Sequence, residues 1–249
     1  MKQETNQTVN RALHLLDFFA DCEELGVSEL SVLMDVDKTS VLRLINSLTN
    51  AGFLQKNDQT KKYRLGLKLL FFGRLVEERN ELAISARPFM KQISDKYQAT
   101  TLLTILDNNQ TRIIQKISAG PFVYMAAQIG LLLPAYAMAS GKLLLANSGE
   151  ENIRSYLTSV PLTAMTSNTI TDPEKLEEEF RTIRLRGFAK DSGESTLGLS
   201  CLAVPVYGPH RKVIAALSVS GQSEVINLAE SSILQDLQNS TVNLSACLK

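Results

Sequence analysis

Two groups of residues in this 249-residue chain have types and spacings that could do chemistry. The first is a set of cations and short polar side chains: Lys38, Thr39, Ser40, Arg43, Asn46 and Ser47, then Lys61 and Lys62. Groups of this kind bind phosphate oxygens and the edges of bases. The second is Ser218 and Ser220, which project to one side if their segment is a strand, together with Cys201 and Asp191. That set invites two readings, a ligand pocket or a nucleophilic site.

A nucleophilic cysteine needs a base within hydrogen-bond reach. The histidines are His14 and His210 only. His210 falls about nine residues along the strands from Cys201, which at ~3.3 Å per residue is out of reach. His14 lies in the opening segment. No Walker loop or GxGxxG is present, and Cys22, Cys201 and Cys247 are too scattered for a zinc site or a disulfide framework. The expectation is a binding protein with free thiols, no catalytic residues, no metal and no cofactor. Taken singly, each pocket residue also has a plainer reading. Cys201 could be a small buried hydrophobe, Ser218 and Ser220 could satisfy strand neighbours, and Asp191 could cap a turn.

The formal net charge is zero, but charge is segregated along the chain. Residues 1–37 hold two basic and eight acidic side chains, a balance of −6. Residues 38–74 hold Lys38, Arg43, Lys56, Lys61, Lys62, Arg64, Lys68 and Arg74 against Asp58 alone, a balance of +7. A neutral protein with such a block can still offer a local basic surface to nucleic acid. With 44% hydrophobic and 21% charged residues, the composition is that of an ordinary globular chain. No apolar run approaches the roughly 18 residues of a membrane span, and the polar start lacks a signal peptide's apolar core. Cytoplasmic location with no membrane partner is the expectation.

The elements that must position the first group can be read from periodicity. Residues 8–20 repeat apolar side chains at helical spacing. A short helix capped by Ser28 follows, then a tight turn at Val36 and Asp37. A third helix runs over 38–50, with Val41, Leu44, Ile45 and Leu48 inward and Gly52 ending it. Two short strands, 53–56 and 63–65, flank a polar turn. That order describes an all-α winged helix-turn-helix, residues 1–66, whose third helix presents the first group to a major groove. An apolar helix over 67–82, broken from the next near Pro88, reads as a linker and dimer contact.

The second group sits in an α/β pattern over 83–249. Strands are expected at 100–106 and 111–117, and a helix from about Ala137 to Asn147. Capping boxes at Ser148–Glu151 and Thr171–Glu174 open two more helices, the second running to Gly187. A hairpin pairs 202–207 with 213–221, and a helix closes the chain over 224–248. A turn around Pro209 and His210 sets Cys201 opposite Ser218. The helix beginning near Ala139 offers its first N–H groups as a carboxylate seat.

Taken together, the chain resembles the isocitrate lyase regulator (IclR) family of bacterial transcription factors over nearly its whole length. The resemblance rests on Val9-Asn10-Arg11-Ala12-Leu13, on Gly141-Lys142-Leu143-Leu144-Leu145-Ala146, and on Glu194 to Gly198, Cys201-Leu202-Ala203-Val204-Pro205-Val206 and Ala215 to Gly221. It implies a C-terminal α/β (α+β, GAF-like) effector-binding domain, a homodimer or dimer of dimers, and a small organic-acid effector. By position, the family's ligand contacts fall on Phe122, Leu133, Ala139, Ser140, Asp191, Cys201, Ser218 and Ser220. No arginine occurs among them, which points to a monoacid. The chain departs from its relatives in having Ala139-Ser140 before the helix and Ser192-Gly193-Glu194 after Asp191. A double-stranded DNA operator is the expected partner and RNA polymerase a further candidate. The expected role is a repressor, and the competing one a winged-helix adaptor that binds protein.

Overall fold

The computed structural model describes residues 6–118 and 127–248. The chain divides into two compact units, Met1–Asn80 and Glu81–Lys249.

In the first unit, α1 (Gln7–Asp17) is capped by Asn6, whose Oδ1 accepts from Thr8 N and Val9 N. Helix α2 (Val27–Met34) starts one residue before the expected cap. The carboxylate of Glu29 reaches back to Gly26 N at 2.6 Å, so Ser28 lies inside the first turn and caps nothing. Asp35 ends α2 in the left-handed region, and Asp37 opens α3 (Lys38–Asn50) by accepting from Ser40 N at 2.9 Å. Val41, Leu44, Ile45 and Leu48 are buried against Leu15 and Leu30, as their spacing predicts. Strands β1 (Leu54–Lys56) and β2 (Tyr63–Leu65) pair antiparallel, and Leu25 bridges to Tyr63 as a third rung. Gly66 lets the chain leave β2 past the end of α3: a Cβ there would stand 2.2 Å from Gly52 O.

Helix α4 (Lys68–Glu78) closes this unit, and α5 (Glu81–Tyr97) opens the next. The break therefore falls at Arg79 and Asn80, not at Pro88, which sits inside α5. Proline costs that helix one backbone hydrogen bond. Burial of Ala83 and Ala86 before it, and of Met90 and Ile93 after it, holds both halves in place.

The second unit is built on a six-stranded antiparallel sheet: β3 (Thr100–Asp107), β4 (Gln110–Ser118), β5 (Leu132–Pro134), β6 (Ala189–Ser192), β7 (Leu199–Tyr207) and β8 (Val213–Gln222). The spatial order is β5-β4-β3-β8-β7-β6. Helices α6 (Ala139–Ala146), α7 (Glu150–Ser159) and α8 (Pro173–Arg186) enclose a core on one face. Helix α5 packs on the other with α9 (Ser223–Leu228) and α10 (Glu230–Cys247), two helices where the sequence pattern suggested one. Neither expected capping box forms. Gly149 precedes α7 while Ser148 Oγ turns back to Leu145 O, and Asp172 caps α8 with Pro173 in its first turn.

Candidate nucleic-acid interface and effector site

The packing of α3 decides which of its side chains are available. With Val41, Leu44, Ile45 and Leu48 inward, Lys38, Thr39, Arg43, Asn46 and Ser47 are exposed and Ser40 is half-buried. Asp37 is held below its ordinary pKa by its hydrogen bonds with Ser40, so the cap stays ionised and binds the helix start firmly. Ser47 Oγ donates to Arg43 O at 3.0 Å, which leaves that hydroxyl as an acceptor toward a ligand.

The two lysines of the hairpin turn part company. Lys61 is exposed at positive φ on the tip. Lys62 donates to Glu29 Oε1 on α2 at 2.8 Å and pins the hairpin to the helical body. Glu24, which the sequence reading counted only as charge, anchors the turn by accepting from Asn57 Nδ2 at 2.6 Å and Thr60 Oγ1 at 2.8 Å. Arg64 is exposed on β2 beside Gln55. It extends the cationic surface, and the basic segment pattern was the signal for it. No ion pair holds Lys38, Arg43, Lys61 or Arg64 among the described residues.

The second set gathers on the sheet face beneath α6. Asp191, Cys201 and Ser220 stand in one row across β6, β7 and β8, and Ala189, Ala203 and Ser218 in the next. Cys201 therefore faces Ser220, not Ser218. The loop between β7 and β8 spans residues 208–212 and a bulge follows Val206, so the register slips by two. A slip of two preserves the face, and all three side chains still point the same way.

Ser218 Oγ donates to Leu102 O at a long 3.4 Å. Ser140 on α6 and Ser220 are also buried. Ala139 is fully buried at the start of α6, where first-turn N–H groups lack intrahelical partners. Thr111 Oγ1, which the sequence did not single out, is buried without a partner close to α6. A Cβ on Gly141 would come within 2.5 Å of it. Leu133 lies on β5, packed against Leu102, Ile113 and Ala127. Phe122 lies outside the described residues.

Charge lines the other end. Lys142, only 1% exposed, is ion-paired with Glu194 Oε1, and lies 3.7 Å from Glu179 Oε1, which also holds Arg186. Asp191 accepts from Glu194 N at 2.6 Å and from Ser195 Oγ at 2.9 Å, so the turn-capping role open to it in the sequence is filled. Burial raises the pKa of Asp191, and the bonds from Glu194 and Ser195 pull it back in part. Burial likewise raises Glu194, opposed by the Lys142 charge. Burial, with the Asp191 charge, pushes the Cys201 thiol up to about 12. A protonated, buried thiol is a small neutral wall and not a nucleophile. The Lys142–Glu194 pair carried no spacing signal, because its members are 52 residues apart and meet only through the fold.

Comparison with known proteins agrees with both halves of this geometry. The family model for the IclR helix-turn-helix domain matches residues 8–58. The model for the bacterial transcriptional regulator IclR C-terminal domain matches residues 75–246. The HTH-type transcriptional regulator XynR of Escherichia coli K12 is 34% identical over 244 residues, covering 97% of each chain. The acetate operon repressor of Salmonella typhimurium is 30% identical, over 86% of this chain and 80% of that one. An IclR homolog from Microbacterium hydrocarbonoxydans, solved in complex with 4-hydroxybenzoate, shares the fold with a TM-score of 0.85. It is 24% identical and covers 97% of this chain and 99% of its own. A helix-turn-helix unit followed by the matched C-terminal domain, in one chain and in this order, places the protein in the IclR family of bacterial transcriptional regulators.

Proposed function

We infer that the chain is a transcriptional repressor whose grip on its operator is set by a small organic acid bound beneath α6. The observation that carries this reading is the group of buried hydroxyls beneath α6, Ser140, Ser218 and Ser220 together with Thr111, whose Oγ1 has no hydrogen-bond partner among the described residues. Buried hydroxyls are normally satisfied, and leaving one unpaired costs about 1–3 kcal/mol. A carboxylate resting on the first turn of α6 would accept from the Ser140, Ser218 and Ser220 hydroxyls and from the backbone N–H groups together. Cys201 and Leu133 supply neutral and apolar walls, and Asp191 faces the end where a ligand hydroxyl would be held.

Binding and not catalysis is the role this chemistry supports, because the Cys201 thiol is protonated and His210 sits out on the β7–β8 loop. Lys38, Thr39, Ser40, Arg43, Asn46 and Ser47 meet the operator's major groove, and Lys61 its backbone. Repression is the sense carried by the name of the Salmonella relative, and the Microbacterium homolog was solved with an organic acid in place. The apolar outer surface of α4 joins two copies, so the operator is an inverted repeat.

The test is calorimetry on the full chain with a panel of small organic acids. The acids that bind should bind at least tenfold more weakly to a Ser218→Ala/Ser220→Ala double variant. Equal binding by both proteins would refute the site.

A further inference from the structure

One cation of the basic segment is engaged by the fold itself. Lys68 is the first residue of α4, and that helix has no acidic side chain in its opening turn. A cation is disfavoured at a helix N-terminus and favoured at a C-terminus. Lys68 resolves the conflict by reaching away from its own helix. Its ammonium lies at the end of α3, where Nζ donates to Ala51 O at 2.9 Å. Carbonyls at that end of a helix have no partner within it.

Aromatic rings complete the joint. Phe53, just after α3, and Phe72, one turn along α4 from Lys68, stack with centroids 5.9 Å apart and planes 7° from parallel. Lys68 Nζ stands 5.1 Å from the Phe53 centroid and 6.0 Å from that of Phe72, within cation–π range. A Cβ on Gly52 would stand 3.5 Å from Lys68 Cδ, so the lysine stem lies along the turn that ends α3. Gly66 N donates to Phe53 O at 2.8 Å just before α4 begins. A backbone bond, an ammonium bond and a ring stack thus tie the start of α4 to the end of α3.

We propose that Lys68 is a positioning residue for operator recognition: with Phe53 and Phe72 it joins α3 and α4 into one rigid body, so that α4 fixes the spacing between the two half-sites the protein reads. This rests on the reading of α4 as the contact between two copies and of α3 as the groove helix. An exposed lysine in a basic block has a plainer use as a phosphate contact, and the two uses leave different marks. Loss of a phosphate contact weakens binding to every sequence and flattens the salt slope by about one unit. Loss of the joint leaves the slope alone and relaxes the spacing. One added base pair shifts a half-site by ~3.4 Å and turns it by ~35°. A rigidly joined pair of helices cannot follow that displacement.

Operator affinity is measured by fluorescence anisotropy on the full chain. The probes are inverted repeats of the operator selected from the protein's own genome, with half-sites at the best spacing and one or two base pairs closer or farther. The wild type should lose at least tenfold when the spacing changes. Lys68→Met and Phe53→Leu should each cut that loss to within about threefold, the double variant should go no further, and Lys68→Arg should behave as the wild type. The salt slope of Lys68→Met on the best repeat should equal that of the wild type. Thermal melting reports that each variant is folded, and sedimentation that it is a dimer. A lower melting temperature with the spacing preference intact would mean that the joint only stabilises the unit, and overturns the proposal. A slope flattened by about one unit in Lys68→Met makes Lys68 a phosphate contact and overturns it too. A dimeric wild type indifferent to spacing removes the role of Lys68 and leaves the pairing through α4 standing. A monomeric wild type removes that pairing, and the role of Lys68 with it.

Discussion

Cys201 and Ser220 face each other directly across β7 and β8, with Asp191 opposite Cys201 on its other side. The thiol is thus flanked in its row by a carboxylate and a hydroxyl, beneath a helix, and its pKa is pushed up to about 12. Cys22 and Cys247 are exposed. Thiolate, not thiol, reacts with alkylating agents. Folded protein at neutral pH should take iodoacetamide at Cys22 and Cys247 and spare Cys201, as read by peptide mass spectrometry. Labelling of Cys201 as fast as Cys22 would show that the wall is open or the thiol ionised.

On the DNA side, the two hairpin lysines should behave differently. Lys61 is exposed at the tip, so Lys61→Ala should weaken binding to every sequence and flatten the salt slope by ~1 unit. Lys62 is held by Glu29, so Lys62→Ala should change that slope much less. Arg43→Ala should cost roughly 1–3 kcal/mol on the operator if it reads a base. Fluorescence anisotropy across a salt series measures all three. Equal slopes for the Lys61 and Lys62 variants would contradict the docking.

Asp191 makes stability depend on pH in a definite sense. Its carboxyl is held above the ordinary range by burial. Above ~pH 4, where an unfolded aspartate has lost its proton, the folded chain still binds one. Stability therefore falls as pH rises through the folded value, and the loss is complete above it. Asp191→Asn removes that titration and keeps one acceptor oxygen for Glu194 N. The melting temperature of the variant relative to wild type should climb with pH across this window. A difference that stays constant from pH 4 to neutrality would contradict the assignment.

Leu67 and Leu70, just before and within α4, are 79% and 72% exposed, and Phe71 and Val76 are exposed beside them. An apolar patch of this kind marks an interface. Sedimentation should find at least a dimer at micromolar concentration, and Leu70→Glu with Phe71→Glu should dissociate it and weaken operator binding. A monomeric wild type with full operator affinity would refute the assembly.

Local signals were legible in the sequence and non-local ones were not. Helix α3 appears with the bounds its periodicity gives, because Val41, Leu44, Ile45 and Leu48 are set by one helix's own spacing. Ser28, Ser148 and Thr171 fit capping patterns, yet Glu29, Gly149 and Asp172 set the helix starts, since each competes within a residue or two. Pro88 looked like a break, but its helix is held by burial on a sheet that periodicity cannot see. The β7–β8 register slipped by two because a bulge and a five-residue loop leave no mark in the hydrophobic alternation. The Lys142–Glu194 pair acquires meaning only from contact across 52 residues.

The central claim, that an acid beneath α6 controls the grip on DNA, is tested most directly by operator affinity measured with and without the best-binding acid. Full-length wild type and the Ser218→Ala/Ser220→Ala variant are compared on a fragment selected from the protein's own genome. The account predicts that the acid weakens wild-type binding at least tenfold. It predicts that the variant binds the operator equally well in the acid's absence and barely responds to it. An operator affinity that no acid shifts, or a variant that responds as the wild type does, would contradict it.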